Sequence, residues 1–231
     1  MRKKNLSIQD QQNGAVMPEL IKICGLTREE DACAAFRAGA DLFGMIFYPR
    51  SRRYLPPEKA CQLVRSCSKE MQWCGVFVNE PVPHILQIAG DVGLWAVQLH
   101  GDEDVDEARA LREAGLKVIK ALPIDQHLED RVRIFRDACD FLLVDTPCES
   151  YGGSGQTGDW DLVVDISKRV PLILAGGLAP ENVADAINRV RPTGVDVSSG
   201  VERAPGIKEI DKINVFIKNA RAAWSVSHAK A

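Results

Sequence analysis

The sequence predicts an α/β fold built as a single (β/α)8 TIM barrel over residues 18–231. Eight short apolar runs alternate with eight longer amphipathic segments along the chain. The runs are apolar throughout, which is typical of parallel strands that crossover helices bury on both faces. Polar and glycine residues follow the runs at one end, which is where a barrel of this kind carries its active site.

The predicted strands are short and rich in β-branched and other apolar residues. They span residues 20–24 (LIKIC), 41–47 (DLFGMIF), 73–78 (WCGVFV), 95–99 (WAVQL), 117–121 (KVIKA), 141–144 (FLLV), 171–174 (PLIL) and 194–197 (GVDV). An open, flavodoxin-like sheet would give a similar alternation. Eight units without a large insertion favour closure into a barrel.

The predicted helices carry Ala, Leu, Ile and Val at helical spacing. They span residues 28–38, 57–68, 82–90, 103–114, 127–138, 160–168, 180–189 and 208–222. Thr27 stands three residues before Glu30, the spacing of a capping pair, and Pro180 is a residue type favoured at a helix start. Each helix is therefore expected to connect two parallel strands.

The loops after strands 7 and 8 are the candidate phosphate site. Gly176 and Gly177 follow strand 7, and Ser198, Ser199 and Gly200 follow strand 8. Glycines let a phosphate approach backbone N–H groups, and this is the usual phosphate position in such barrels. A phosphorylated small molecule is the predicted ligand.

Two further segments after strands suggest ligand contacts. The glycine-rich stretch after strand 6, up to residue 160, is long for a barrel loop and predicts a mobile lid, in which Gly155 is a further candidate for contacting phosphate. Arg50, Arg52 and Arg53 follow strand 2, where one guanidinium can bind a carboxylate in bidentate fashion. The predicted ligand is therefore anionic.

Acid–base chemistry is suggested by residues that end three strands. Cys24 ends strand 1, Asp145 ends strand 6 and Asp196 lies in strand 8, so all three are expected at one rim. A buried carboxyl group with a raised pKa suits acid catalysis. His100, after strand 4, is a further pocket candidate. No set of His, Cys and Asp has metal-ligand spacing, so no metal is expected.

The bulk composition narrows the location and the partners. No stretch approaches about 20 apolar residues, so no membrane span is expected. A net charge of −3 gives no broad basic surface for nucleic acid. Seven cysteines without a C-x-x-C motif indicate a reducing compartment, and we expect a cytoplasmic protein, monomer or homodimer. Residues 1–17 are polar and predict a disordered N-terminal extension, so truncation to Met17 is expected to leave activity intact.

Together these segments resemble the phosphoribosylanthranilate isomerases of tryptophan biosynthesis. The resemblance runs from about residue 20 to residue 218. It is carried by residues 22–27 (KICGLT), 44–54 (GMIFYPRSRRY), 76–79 (VFVN), 97–101 (VQLHG), 151–155 (YGGSG) and 194–202 (GVDVSSGVE). Motifs in this order along most of the barrel are more specific than any one of them.

The resemblance implies an Amadori rearrangement of N-(5′-phosphoribosyl)anthranilate to 1-(2-carboxyphenylamino)-1-deoxyribulose 5-phosphate, without a cofactor. It implies that Cys24 is the general base and Asp145 the general acid. It also implies that Arg53 binds the anthranilate carboxylate and that Asp196 binds the anthranilate amine. Two alternatives remain open: a bifunctional isomerase that also accepts the related histidine-pathway aminoaldose, and a non-catalytic sensor of a phosphorylated ligand. Cys24 favours an isomerase that acts on phosphoribosylanthranilate alone, because the bifunctional type usually relies on paired aspartates.

Overall fold

Eight parallel strands close into a barrel and pair with one another in chain order. The computed structural model describes residues 19–145 and 158–228. Its barrel strands are β1 Leu20–Ile23, β2 Leu42–Ile46, β3 Gln72–Phe77, β4 Ala96–Leu99, β5 Lys117–Pro123, β6 Phe141–Asp145, β7 Leu172–Ala175 and β8 Gly194–Val197. Pairing of β8 with β1 closes the barrel, with Lys22 opposite Asp196. The predicted barrel is confirmed, and the open sheet is excluded.

The connecting helices surround this barrel. In the described residues they are α1 Glu29–Ala38, α2 Pro57–Ser66, α3 Val82–Val92, α4 Val105–Glu113, α5 Leu128–Phe135, α6 Gly158–Ser167, α7 Val183–Val190 and α8 Ile210–His228. Their ends agree with the predicted ones to within three residues, except that α8 continues six residues further. None of these helices is both long and apolar enough to cross a membrane. The predicted extension 1–17 and Gly155 lie outside the described residues.

The start signals predicted for two of the helices, Thr27 and Pro180, are wrong. Helix α1 begins after Arg28 without a side-chain cap, and the Thr27 hydroxyl instead donates a hydrogen bond to the carbonyl of Gly206 at 2.6 Å. Helix α7 begins at Val183, three residues after Pro180. Tertiary contacts override the local signal at Thr27, because its hydroxyl joins two loops at the rim.

The apolar core has two layers. Most buried side chains pack between the strands and the outer helices. A second cluster includes Leu20, Leu42, Cys74, Ile119 and Leu143, which come from alternating positions of the strands and fill the barrel interior. The interior is therefore a packed core, so a ligand can enter only at its ends.

A short hairpin that the sequence did not predict covers part of one rim. After β8 a 3-10 turn, Ser199–Val201, leads into the antiparallel strands β9 Glu202–Ala204 and β10 Ile207–Lys208. The buried Lys208 ammonium donates hydrogen bonds to the carbonyls of Cys24, at 2.5 Å, and Ser198, at 3.0 Å. The hairpin thereby fixes the ends of β1 and β8 relative to each other.

The opposite rim carries structural contacts. Asp41 accepts hydrogen bonds from the backbone N–H of Ile21 at 2.9 Å and from Arg221 at 2.5 Å. Asp140 pairs with Lys117 at 2.9 Å. These ion pairs join helix-to-strand turns to the barrel.

Candidate active site

A cavity of about 280 Å³ opens at the carboxyl ends of the barrel strands. It is lined by Cys24, Ile46, Arg53, Val76, Gln98, His100, Leu143, Asp145, Ala175, Gly176, Gly177, Leu178, Asp196, Val197, Ser198 and Ser199. Most of the predicted site residues are in this group. Gly200 is not; it packs behind the lining, where a Cβ atom would lie 2.0 Å from the carbonyl oxygen of Leu178. The carboxyl ends of the strands therefore surround a cavity, and most of the candidate residues line it.

Cys24 lies at the floor of the cavity, just beyond the end of β1. Its backbone N–H donates to the carbonyl of Val197 at 2.9 Å, and its side chain is 6% exposed. Gly44 leaves room for it, because a Cβ atom at Gly44 would lie 3.0 Å from the Cys24 sulfur. Burial raises the pKa of the thiol, and the nearby Lys22 ammonium opposes that rise. Cys24 is thus a thiol whose ionisation depends on the charges around it.

Asp145 ends β6 and faces the cavity from another side of the barrel. Although its side chain is exposed at the mouth, the surrounding protein removes enough water to raise the pKa of the carboxyl group. His100 partly opposes this shift. A carboxyl group that holds its proton more tightly is better suited to general acid catalysis near neutral pH.

His100 and Gln98 form one polar unit at the end of β4. The side-chain amide of Gln98 lies 2.7 Å from Nδ1 of His100, so an amide donor leaves the imidazole its proton on Nε2. Burial lowers the pKa of His100, and the charge of Asp145 opposes that shift. Oε1 of Gln98 is buried and has no hydrogen-bond partner among the described residues. This unit therefore offers a neutral imidazole and an unused amide oxygen to a ligand.

Asp196 offers one carboxylate oxygen to the cavity. Its Oδ2 accepts a hydrogen bond at 3.0 Å from Lys22, whose side chain is fully buried. Its Oδ1 is buried without a partner in the part of the chain that the structure describes. Because an unpaired buried oxygen is costly, Oδ1 is a natural acceptor for a ligand N–H group.

Arg53 is the one arginine of the predicted cluster that reaches the cavity. Arg50 and Arg52 are exposed and do not line it. The guanidinium of Arg53 is held by Glu202, with Nε 2.8 Å from Oε1, and this pairing raises the pKa of Arg53. Gly25 permits the close approach, since a Cβ atom there would lie 2.6 Å from Cδ of Arg53. The structure thus shows which of the three arginines faces the cavity, which the sequence of the loop did not decide.

The loops after β7 and β8 form an anion-accepting side of the cavity. Gly176 and Gly177 both adopt the left-handed backbone conformation, with φ of 84° and 58°. Ser198 has a buried hydroxyl oxygen with no hydrogen-bond partner in the described ranges. Glycine backbone and serine hydroxyls can surround phosphate oxygens without a cationic side chain.

No group of three or more His, Cys, Asp and Glu within residues 19–145 and 158–228 is arranged to hold a metal ion. Six cysteines, at positions 24, 33, 61, 67, 74 and 139, are free thiols. The lining of the described cavity offers a thiol, carboxyl groups, an imidazole and hydrogen-bond donors.

Comparison with known proteins identifies the family. Residues 21–219 match the family model described as N-(5′-phosphoribosyl)anthranilate (PRA) isomerase. The chain belongs to this isomerase family. The N-(5′-phosphoribosyl)anthranilate isomerase of Thermotoga maritima is 46% identical over 203 residues, which cover 87% of this chain and 98% of the relative. That of Roseiflexus castenholzii is 46% identical over 213 residues, covering 88% and 99%.

Solved structures of the isomerase family share the fold. The T. maritima enzyme superposes with a TM-score of 0.80 at 45% identity and covers 88% of this chain and 99% of its own. A phosphoribosylanthranilate isomerase in complex with reduced 1-(o-carboxyphenylamino)-1-deoxyribulose 5-phosphate superposes with a TM-score of 0.79 at 42% identity, covering 88% and 99%. The predicted family and barrel are both confirmed.

Three residues of this family member were absent from the predicted site: Lys22, Gln98 and Glu202. Lys22 and Gln98 each precede a predicted site residue by two positions on a strand, so they share its face. That periodicity was a usable signal. Glu202 gave no comparable signal, because its position depends on the unpredicted hairpin.

Proposed function

We propose that this chain catalyses the Amadori rearrangement of N-(5′-phosphoribosyl)anthranilate, with Cys24 as general base and Asp145 as general acid. The observation that carries the proposal is that both residues line one cavity, at the ends of two different strands. A thiol and a carboxyl group that face the same space from different directions can transfer protons at two atoms of one ligand. The reaction requires two such groups.

The first step opens the ribose ring. Asp145 gives its proton to the ring oxygen, the bond between C1′ and that oxygen breaks, and the anthranilate nitrogen forms a protonated Schiff base with C1′. The raised pKa of Asp145 supports this role, because more of the carboxyl group is protonated at a given pH. The neutral His100 beside it leaves the acid role to the carboxyl group.

The second step moves a proton away from C2′. The thiolate of Cys24 takes the C2′ proton, the C2′ electrons form a double bond to C1′, and the iminium nitrogen is neutralised. The resulting enolamine then tautomerises to the ketone of the product. The positive charge of the iminium favours a nearby thiolate, which helps Cys24 to ionise in spite of its burial.

Three groups hold the substrate in this assignment. Arg53 binds the anthranilate carboxylate through the part of its guanidinium that Glu202 does not occupy. Oδ1 of Asp196 accepts the N–H of the anthranilate amine, which gives this buried oxygen its partner. The phosphate lies against Gly176, Gly177 and the serines of the β8 loop. Gly155, Gly200 and His100 remain predicted contacts of the substrate.

A direct assay tests the proposal. Anthranilate derivatives are fluorescent, so consumption of phosphoribosylanthranilate by the purified full chain can be followed continuously. We expect turnover, and we expect complementation of a tryptophan auxotroph that lacks this step. A parallel assay with the histidine-pathway aminoaldose should show no turnover. A folded, well-expressed protein that converts neither substrate would contradict the proposal and favour the sensor.

The proposal extends to the cellular location and the oligomeric state of the enzyme. Six free thiols and membership of a biosynthetic isomerase family support a reducing, cytoplasmic location. A structure of a phosphoribosylanthranilate isomerase from T. maritima is described as a generated monomer of a dimeric enzyme. For this chain, monomer or homodimer stays a prediction, which analytical ultracentrifugation can decide.

A further inference from the structure

Lys22 carries a buried ammonium group in the centre of the barrel. Its side chain is fully buried and does not line the cavity. It donates to Oδ2 of Asp196 at 3.0 Å from the directly opposing position of the neighbouring strand. Cys24 lies two residues further along the chain, just beyond the end of β1, so its side chain points to the same interior face. One ammonium group therefore acts on both the proposed base and the proposed amine acceptor.

We propose that Lys22 is a positioning residue that favours the thiolate of Cys24 and holds the Asp196 carboxylate in place for the substrate amine. The proposal rests on the assignment of Cys24 as the base in the proposed function. It adds a charge below the cavity floor that acts on two site residues without touching the substrate. Nothing in the reaction itself requires a lysine at this position, so the proposal can fail while the acid–base pair stands.

The surroundings of Cys24 single out Lys22 among the nearby charges. The charged or titratable groups that face Cys24 are Lys22, Asp196, Lys208, Arg53 and Cys74. Lys208 and Arg53 both pair with Glu202, which neutralises much of their effect. Lys22 pairs with one carboxylate, that of Asp196, through its Oδ2. The other oxygen, Oδ1, is left for the ligand. When the substrate engages that oxygen, the attraction of Lys22 for a thiolate remains.

The stability of the fold does not explain this ion pair. Replacing a buried ion pair by apolar residues of similar volume is often neutral or stabilising. The buried pair of Lys120 and Glu103 has an evident structural role, because it also bonds the backbone of Gly101. Within the described residues, the Lys22 ammonium group is hydrogen-bonded to the Asp196 side chain, bonds no backbone group, and interacts electrostatically with Cys24, Cys74 and His100. Its contacts thus point to the chemistry rather than to the backbone.

The ionisation of Lys22 agrees with this role. Burial lowers the pKa of the Lys22 ammonium group, but the Asp196 carboxylate, together with the charges of Cys24 and Cys74, outweighs burial and holds the pKa of Lys22 above its ordinary value. Lys22 therefore holds its proton more tightly than an ordinary lysine side chain does. A constant positive charge is what a neighbouring thiolate needs.

The first test measures the ionisation of Cys24 without any substrate. The rate of alkylation of Cys24 by iodoacetamide is followed against pH by mass spectrometry of the tryptic peptide that ends at Arg28, which contains no other cysteine. In Lys22→Met we expect the midpoint to rise by about one pH unit or more, as for loss of an opposite charge at close range. Lys117→Met, which removes an ion pair at the other rim, should leave the midpoint unchanged.

A double variant covers the possibility that Lys22→Met does not fold. Lys22→Met/Asp196→Asn removes both charges and leaves no unpaired carboxylate. We expect its midpoint to lie above that of the wild type and below that of Lys22→Met, since the Lys22 charge acts on Cys24 more strongly than that of Asp196. Circular dichroism identifies the folded variants. A midpoint that is unchanged or lowered in the folded variants overturns the proposal.

The second test is kinetic and separates this proposal from the proposed function. In Lys22→Met, the change in kcat/KM that reports ionisation of Cys24 should move to higher pH. The change that reports ionisation of Asp145 should stay at the same pH. A merely structural effect would lower activity equally at every pH and would contradict the proposal. If the wild type shows no isomerase activity, the proposed function fails, and the alkylation midpoints still decide the effect of Lys22 on Cys24.

Discussion

The guanidinium of Arg53 and the carboxylate of Glu202 form a bidentate ion pair, with Nε 2.8 Å from Oε1 and Nη2 2.6 Å from Oε2. Glu202 is the first residue of β9, so the rim hairpin determines the direction in which Arg53 points. Nη1 makes no hydrogen bond among the described residues. Of the nitrogens of Arg53, it is the one left to bind the carboxylate of the substrate.

Glu202→Gln should weaken substrate binding more than turnover. Loss of the carboxylate releases Arg53 from its fixed orientation, so we expect KM to rise about tenfold, roughly 1.4 kcal/mol of binding, with kcat within about threefold. Steady-state kinetics measure both. Glu129→Gln is the matched control, because Glu129 forms a bidentate pair with Arg169 on the exposed surface. A fall in kcat at unchanged KM would rule out this role of Glu202.

Cys24→Ser should abolish most of the turnover and retain substrate affinity. A serine hydroxyl is nearly isosteric but far less acidic than a thiol, so it cannot supply the base near neutral pH. We expect kcat to fall by a factor of about 10² to 10⁴. Cys61→Ser is the control, because Cys61 lies on α2, away from the cavity lining. Near-normal kcat in Cys24→Ser would remove Cys24 as the base.

The pH dependence of kcat/KM should follow from the ionisation of Asp145 and Cys24. Asp145 must be protonated and Cys24 deprotonated, yet burial raises the pKa of both groups, and the carboxyl group remains the stronger acid. Between the two pKa values, each unit of pH lowers the protonated fraction of Asp145 about tenfold and raises the thiolate fraction about tenfold. We therefore expect a flat kcat/KM between the two pKa values, with a fall on either side. A profile that falls on one side only would contradict the requirement for one protonated and one deprotonated group.

Asp145→Asn should remove the acid and leave one limb of that profile. We expect kcat/KM to fall by a factor of about 10² to 10⁴, with residual activity that rises with pH up to the pKa of Cys24. Asp165→Asn, which changes an exposed carboxylate paired with Lys168, is the control and should retain the wild-type profile. Residual activity that keeps a flat profile would assign the acid to another group.

The barrel was predictable because its signal is repeated along the chain. Each strand is an apolar run that is buried on both faces, and each helix has an apolar side, so eight repeats of the pattern support one another. The hairpin of β9 and β10 gave only the turn signal of Pro205 and Gly206. Strands of three and two residues are too short for a period to show, and their pairing depends on tertiary contacts with Thr27 and the end of β1.

Site residues that lie at strand ends were predictable from the sequence. Residues that act through a neighbouring side chain were not. Cys24 and Asp145 follow from the rule that loops at the carboxyl ends form the site, and the family resemblance supplied their roles. The choice of Arg53 over Arg50 rests on which side chain turns inward, which the structure shows. Lys22 was missed because a lysine in an apolar strand has no partner in the local sequence; Asp196 is 174 positions away.

The phosphate contact can be tested at Gly177. Its φ of 58° is costly for any residue with a Cβ atom, by about 1 to 2 kcal/mol, so Gly177→Ala should shift the loop that faces the phosphate. We expect KM and the inhibition constant of inorganic phosphate to rise together, each by about tenfold. Gly115→Ala is the matched control, since Gly115 has a φ of 93°, meets no atom within 4 Å of an added Cβ, and lies at the opposite rim before β5. It should lower thermal stability and leave both constants unchanged. If both variants raise the two constants equally, the effect comes from general strain, and the phosphate must bind elsewhere.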